Sequence, residues 1–167
     1  SLVDTFLILS RDNADSVAHF EIFLVEPLIR EEIEENHEAT ELKSIQTFLN
    51  SNGIIEINGN SQLFRVVIKN LLRNAIHHTK QGTITVTLNS DSVMVEDTGR
   101  GIPEELKDSI FERHYQISSL ENDQKGEGLG LSIVKRICDH HHWHIRLETV
   151  QPHGSRFILK FDPPIET

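Results

Sequence analysis

The strongest restriction on the fold comes from a glycine-rich loop, residues 126–131, that runs directly into an amphipathic helix pattern. Glycines at 126, 128 and 130 leave every second position of this loop without a side chain, so its backbone can approach a ligand closely. The helix that follows offers free N–H groups and the positive end of its dipole, which suits a phosphate. The sequence contains neither the Walker Gly-Lys-Ser/Thr motif nor the protein-kinase His-Arg-Asp and Asp-Phe-Gly signatures, which argues against the common phosphate-binding architectures.

The composition fits one compact globular domain with a short appendage. The chain has 167 residues, of which 37% are hydrophobic and 25% charged. A net charge of −10 argues against nucleic acid or an anionic membrane as the main partner. No stretch is long enough to span a bilayer and no signal peptide is recognisable, so we expect a soluble, cytoplasmic domain, whose parent could be membrane-bound. The single cysteine, Cys138, fits a reducing compartment and is interpreted as a buried structural thiol.

Hydrophobic periodicity predicts several helices and a mostly antiparallel sheet, an α+β arrangement. Strands are predicted at 19–23, 45–49, 54–57, 83–88, 92–97, 144–149 and 156–161. Helices are predicted from Pro27 onward, at 61–78 behind a cap at Asn60 or Ser61, in short pieces from 103 and 108, and after the glycine loop to about 141. We expect three hairpins: 45–49 with 54–57, 83–88 with 92–97, and 144–149 with 156–161.

Two asparagines lie four residues apart on the helix at 61–78. Asn70 and Asn74 stack on one flank of its apolar stripe, and His77 falls in the same row. An amide oxygen is a good hard ligand for Mg²⁺, which takes few protein ligands together with substrate phosphates. The alternative is a pair of asparagines that bind a neighbouring loop.

Asp97 ends a predicted strand, on the same face as Val93 and Val95. A carboxylate at the opening of an apolar pocket needs a hydrogen-bond donor, and the amino group of adenine is a suitable one. Gly99 and Gly101 then permit a turn and close backbone approach. The alternative is an aspartate that caps the next helix or fixes the turn, which leaves the paired glycines unexplained.

Four segments in order resemble the four sequence boxes of sensor histidine kinase catalytic domains. They are Asn70-Leu-Leu-Arg-Asn74-Ala, Asp97-Thr-Gly-Arg-Gly101, Ile110-Phe-Glu-Arg-His-Tyr115 and Gly126-Glu-Gly-Leu-Gly-Leu131, within a match over about residues 18–162. The family fold is the Bergerat ATP-binding sandwich of type II topoisomerases, heat-shock-90 chaperones and mismatch-repair ATPases. The resemblance therefore implies a two-layer sandwich, with a mixed, mostly antiparallel sheet covered on one face by about three helices.

The resemblance also implies a role for each matched residue, with ATP and Mg²⁺ as cofactors. Asn74 would bind Mg²⁺ and Asn70 would support the metal and phosphates, while Arg113 would contact the γ-phosphate; these three are the predicted catalytic residues. Asp97 would bind the adenine amino group. The remaining predicted nucleotide contacts are His77, His78, Gly99, Gly101, Ile102, Tyr115, Lys125, Gly126, Gly128, Leu129, Gly130 and Leu131.

Position 70 separates the branches of the superfamily, and positions 77 and 78 depart from the family pattern. ATP-hydrolysing relatives carry a water-activating glutamate where this chain has Asn70, which is no base at neutral pH. We therefore expect that bound ATP is not hydrolysed rapidly and that its γ-phosphoryl group is attacked by the imidazole of a partner histidine. His77 and His78 stand where the family often has a lysine, which predicts a partly charged imidazole near the phosphates.

The phosphoacceptor of the family is missing, because His19 lacks the family's surrounding motif. Residues 1–16 are interpreted as the end of a dimerisation-hairpin helix and its linker, and 17–167 as the catalytic domain. The implied partners are a histidine-bearing dimerisation domain and, downstream, a response regulator. Two alternatives stay open: a degenerate nucleotide-binding or docking module, and a Bergerat-type ATPase or serine kinase. The histidines at 140–142 are interpreted as a cluster favoured by the helix dipole rather than a zinc site.

Overall fold

The computed structural model describes residues 20–112 and 130–162. Its strands are β1 (Glu21–Leu24), β2 (Ile45–Ser51), β3 (Glu56–Gly59), β4 (Gly82–Asn89), β5 (Ser92–Asp97), β6 (His144–Thr149) and β7 (Ser155–Lys160). Its α-helices are α1 (Val25–Glu35), α2 (His37–Leu42), α3 (Ser61–His78) and α4 (Gly130–His141), with 3₁₀ turns at Glu104–Leu106 and Ser109–Phe111. Within these two described ranges, no helix has both the length and the apolar character needed to cross a membrane.

Five strands form the main sheet, in the order β2-β4-β5-β7-β6. The β2–β4 pair is parallel and the other three pairs are antiparallel. β1 and β3 form a separate antiparallel ribbon. Helix α3 packs against α1, α4 and β5. The predicted α+β sandwich with a mixed, mostly antiparallel sheet is thereby confirmed.

The core lies between α3, α4 and the sheet. Alternate residues of β4 are buried, which is the pattern of a strand with one face on the core. Phe64 of α3 is fully buried at the centre of an aromatic cluster with Phe23, Trp143 and Phe161, at centroid distances of 5.5 to 6.2 Å. Trp143 directly precedes β6 and is 5% exposed, so it anchors the start of that strand in the core.

The predicted hairpin between 45–49 and 54–57 is wrong. β2 runs on to Ser51 and pairs in parallel with β4, from Ile45 opposite Gly82 to Ser51 opposite Leu88. β3 pairs instead with β1, with Phe23 opposite Ile57. The turn residues at 50–53 suit a hairpin locally, but burying one face of each strand requires partners that are distant along the chain.

The other two predicted hairpins are confirmed as β4–β5 and β6–β7. Asn60 caps α3 as expected, because its side chain accepts hydrogen bonds from the backbone N–H groups of Gln62 and Leu63. The helix end and linker predicted at residues 1–16 lie outside the described residues.

Candidate functional site

Asn70 lies where α3 meets the first residue of α4. Its Nδ2 donates to the Val66 carbonyl oxygen one turn earlier, at 2.7 Å. Its Oδ1 faces Gly130, and a Cβ atom added to Gly130 would lie only 2.8 Å from that oxygen. A side chain at position 130 would therefore displace the Asn70 amide, and the contact places the N-terminus of α4 beside Asn70.

Asn74 lies one turn further along α3, and its side chain has an unpaired amide nitrogen. Its Nδ2 is buried and has no hydrogen-bond partner among the described residues. A buried amide donor left unpaired costs about 1–3 kcal/mol. A phosphate oxygen would satisfy this donor, and an amide oxygen is a ligand that Mg²⁺ accepts. The residues present therefore fit a magnesium–phosphate group.

Asp97 ends β5 and is only 1% exposed. Its Oδ1 accepts a hydrogen bond from the Gly99 backbone N–H at 2.9 Å, and the carboxylate also accepts one from the backbone N–H of Ser155. Burial raises the pKa of Asp97, and these two hydrogen bonds oppose that rise. The carboxylate is thus held in a fixed orientation in a nearly enclosed place.

Glycines let the chain pass tightly around Asp97. A Cβ on Gly99 would lie 2.3 Å from the His78 carbonyl oxygen, and one on Gly154 would lie 2.1 Å from the Asp97 carbonyl oxygen. Gly101 and Gly154 also have positive φ angles, +76° and +127°, which favour glycine. The turn after β5 therefore packs directly against the end of α3 and the start of β7.

Sequence reasoning missed Gly154 and Ser155. Ser155 lies opposite Asp97 in the β5–β7 pairing and is 2% exposed. Residues 152–154 have the composition of a turn and carry no further signal. Only the pairing of β7 with β5, which joins residues almost 60 positions apart, brings them to the aspartate.

His78 is nearly buried, and its ring is held by Arg100. The ring Nδ1 accepts hydrogen bonds from Arg100 Nε at 3.2 Å and Nη2 at 2.9 Å. Burial, the charge of Arg100 and the neighbouring His77 and Lys43 lower the pKa of His78 to about 4. The expected partial charge is therefore wrong for His78, because its ring is neutral near pH 7. His77 is exposed beside it.

The structure brings two groups of predicted site residues together. Asn70 contacts Gly130, and the Asp97–Gly99–Gly101 turn contacts His78. Ile102 is buried and Leu131 is half-buried against the core. The other predicted site residues lie outside the described residues: Arg113, Tyr115, Lys125, Gly126, Gly128 and Leu129.

Two further sequence features have structural places. Cys138 is fully buried, as expected, and burial raises the pKa of its thiol to about 12. In residues 20–112 and 130–162, no three His, Cys, Asp or Glu side chains are grouped so as to hold a metal ion. His141 instead joins two helices, because its Nε2 accepts a hydrogen bond from the Asn60 backbone N–H at 3.2 Å.

Comparison with known proteins identifies the family. A family profile described as "Histidine kinase-, DNA gyrase B-, and HSP90-like ATPase" matches residues 59–165. The sensor protein QseC of Escherichia coli strain K12 is 32% identical over 156 residues, which cover 92% of this chain and 34% of QseC. The chain spans about a third or less of the length of the curated relatives it matches.

Solved structures agree with this assignment. The cytoplasmic segment of histidine kinase QseC superposes with a TM-score of 0.71 at 25% identity, covering 98% of this chain and 91% of that one. The catalytic domain of histidine kinase ThkA gives a TM-score of 0.73 at 28% identity, covering 86% and 96%. The chain therefore belongs to the histidine kinase-, DNA gyrase B- and HSP90-like ATPase family, within it to the ATP-binding catalytic domains of sensor histidine kinases.

Proposed function

We propose that this domain binds Mg-ATP between α3, the Asp97 turn and the start of α4, and transfers the γ-phosphoryl group to a histidine of a separate dimerisation domain. The observation that carries the proposal is the buried, unpartnered amide of Asn74, one turn from the contact between Asn70 and Gly130. The Nδ2 atom of Asn74 is a donor that a phosphate oxygen would complete, while the Oδ1 atom of the same side chain is the one that would bind Mg²⁺.

Asp97 recognises the base in this proposal. The carboxylate is fixed by the N–H groups of Gly99 and Ser155, and its acceptor capacity exceeds these two hydrogen bonds. An exocyclic amino group of adenine would supply a further donor. A guanine carries a carbonyl oxygen at that position, so the same carboxylate would reject it.

Asn70, Asn74 and the N-terminus of α4 surround the phosphate end. Backbone N–H groups at the start of α4 and its helix dipole would hold phosphate oxygens, next to Asn70. Asn74 would hold Mg²⁺, which neutralises charge on the phosphates when it is bound. Arg113, Lys125 and the glycines at 126 and 128 stay predicted contacts of this end.

The chemistry proposed is an in-line displacement. A ring nitrogen of the partner's histidine forms a bond to the γ-phosphorus, while the bond from phosphorus to the bridging oxygen of ADP breaks and ADP leaves. Asn70 offers no basic group for activating water, and its amide already donates to the Val66 carbonyl. Rapid hydrolysis is therefore not expected, which favours phosphotransfer over the ATPase alternative.

The proposal also covers the domain organisation, the partners and the cellular location. Residues 1–16 would be the end of a dimerisation hairpin with its linker, and 17–167 the catalytic domain. The phosphoryl group would pass from the histidine to a response regulator. We place the domain in the cytoplasm, as for the QseC segment to which it is similar.

Calorimetric titration with a non-hydrolysable ATP analogue tests the site, with and without Mg²⁺. We expect magnesium-dependent binding by the unmodified chain and loss of that dependence in Asn74→Ala. Asn52→Ala is the matched control, since Asn52 is an exposed asparagine bonded to Asn89 at the opposite end of β4. Absence of binding in every condition would overturn the proposal and favour a degenerate docking module.

A further inference from the structure

Arg100 links two elements that carry different halves of the proposed site. Its guanidinium donates two hydrogen bonds to the Nδ1 atom of His78, at 3.2 and 2.9 Å. Its backbone N–H donates to the carbonyl oxygen of the same histidine, at 3.3 Å. His78 is the last residue of α3, and Arg100 lies in the turn that follows Asp97.

The turn that follows Asp97 packs tightly against the end of α3. Gly99 approaches the His78 carbonyl oxygen so closely that a Cβ atom would lie 2.3 Å from it. The terminal carbonyls of a helix need partners from outside the helix, and the Arg100 N–H supplies one. His78 is 9% exposed, and Arg100 binds both its backbone carbonyl and its side-chain ring.

The contact between His78 and Arg100 sets the spacing of the two proposed binding groups, Asn74 and Asp97. Asn74 lies four residues before His78 on the same helix, which is about 6 Å along its axis. Asp97 lies three residues before Arg100. A shift between His78 and Arg100 would therefore change the distance between the group proposed for the phosphate end and the group proposed for the base.

We propose that Arg100 is a positioning residue for nucleotide binding, which acts through the His78 ring to hold the end of α3 against the Asp97 turn. This inference rests on the proposed function. The neutral state of the ring supports it, because an uncharged imidazole keeps Nδ1 free to accept from the guanidinium. The planar fork of arginine suits this paired donation, which a lysine ammonium cannot reproduce.

A double-mutant cycle tests the inference, with the affinity for a non-hydrolysable Mg-ATP analogue as its readout. The variants are Arg100→Ala, His78→Phe and the two combined. Phenylalanine keeps an aromatic ring of similar size and removes the hydrogen-bond acceptor. If His78→Phe does not fold, His78→Leu is used in its place. Arg146→Ala is the matched control, because Arg146 is an exposed arginine paired with Glu148 on the edge strand β6.

We expect Arg100→Ala to raise Kd about fivefold in the unmodified chain and to have no further effect once His78 is Phe. Arg100→Lys should recover only part of the affinity. Equal losses in both backgrounds would overturn the inference, since Arg100 would then contact the nucleotide directly. Unchanged affinity of Arg100→Ala would also overturn it.

The control separates this inference from the proposed function. If the unmodified chain and Arg146→Ala both bind the analogue with magnesium dependence, the proposed function stands. The double-mutant cycle then tests only the positioning role of Arg100. If neither binds, the proposed function fails and the inference fails with it. Thermal melting of each variant identifies losses of affinity that follow from unfolding.

Discussion

At the scale of single residues, Asp97 combines a proposed role in binding with an energetically unfavourable position. Its carboxylate is almost fully buried, and burial raises its pKa. A raised folded-state pKa means that stability falls as the pH rises from the unfolded pKa through the folded one. The charge of Asp97 therefore costs stability at neutral pH, which fits the proposed role in binding better than a role in folding.

Asp97→Asn tests this separation of function from stability. We expect the affinity for an ATP analogue to fall by about tenfold, because a charged acceptor for the adenine amino group is lost. The melting temperature should stay within a few degrees, since the substitution removes a buried charge and nearly keeps the shape. Calorimetric titration and thermal melting measure the two effects. Loss of folding with unchanged residual affinity would assign Asp97 a structural role instead.

Glu32 is a second buried carboxylate, remote from the proposed site. It is 1% exposed on α1, and its Oε2 has no hydrogen-bond partner among the described residues. Burial, and then the charge of Glu35, raise the pKa of Glu32, while Lys69 and Arg65 lower it. The net rise means that ionised Glu32 costs stability above its unfolded pKa, which is about 4.5.

We expect Glu32→Gln to raise the free energy of unfolding by about 1 kcal/mol at pH 7.5. The gain should shrink as the pH falls towards 4.5, because the carboxyl of the unmodified chain is then protonated. Arg65 keeps its other partner, Glu31, at 2.5 Å, so no buried charge is left alone. Urea unfolding across this pH range measures the effect.

Glu31→Gln is the control for this prediction. Glu31 pairs with the same arginine but is 58% exposed. Exposed ion pairs contribute at most about 1 kcal/mol, so its replacement should leave stability nearly constant and add no pH dependence. A Glu32→Gln variant less stable than the unmodified chain at pH 7.5 would show that the Arg65 pair outweighs the burial of the charge.

At the scale of elements, the start of α3 depends on one side chain. Asn60 Oδ1 accepts from the backbone N–H groups of Gln62 and Leu63, at 3.0 and 3.1 Å. We expect Asn60→Ala to lower the free energy of unfolding by about 1 kcal/mol, while Asn60→Asp retains the cap. Urea unfolding at pH 7.5 measures both. An alanine variant as stable as the unmodified chain would show that packing alone fixes this helix end.

Elements with local signals could be predicted from the sequence, and those that depend on distant pairing could not. The cap at Asn60, the apolar stripe of α3 and the turn at 89–91 each specify a structure within a few residues. The turn residues at 50–53 specify one as well, but β2 pairs with β4 and β3 with β1. Neither partner is adjacent in the chain, so a local rule cannot select it.

The same limit applies to the site. Asn70, Asn74, Asp97 and the glycines belong to motifs that a sequence displays directly. Ser155 reaches Asp97 only through the β5–β7 pairing. The neutral state of His78 arises from burial and from Arg100, 22 residues away. Motifs thus predict which residues form the candidate site. The protonation state of His78 and the contact of Ser155 with Asp97 depend on the assembled fold.

At the scale of the whole molecule, the single cysteine reports how the packed fold opens. Cys138 lies on α4, the helix whose first residue contacts Asn70. Its thiol is fully buried and burial raises its pKa to about 12, so the folded protein holds neither accessible sulfur nor thiolate at pH 7.5. Modification therefore requires opening of the domain.

We expect an aromatic disulfide reagent to modify Cys138 slowly in native buffer and at once in 8 M urea, a concentration of the order that unfolds small domains. Under conditions of rapid opening and closing, the rate reports the open population. A ligand of the folded state lowers that population by the factor 1 + [L]/Kd. Absorbance of the released thiolate measures the rate.

The Mg-ATP analogue should therefore slow modification of the unmodified chain, by about a hundredfold at a concentration 100 times Kd. Asn74→Ala should show little slowing at the same concentration, because its affinity is lower while its thiol is buried by the same core. Modification of the unliganded native chain as fast as in urea would contradict the packing of α4. Equal slowing in both proteins would place the bound nucleotide away from Asn74.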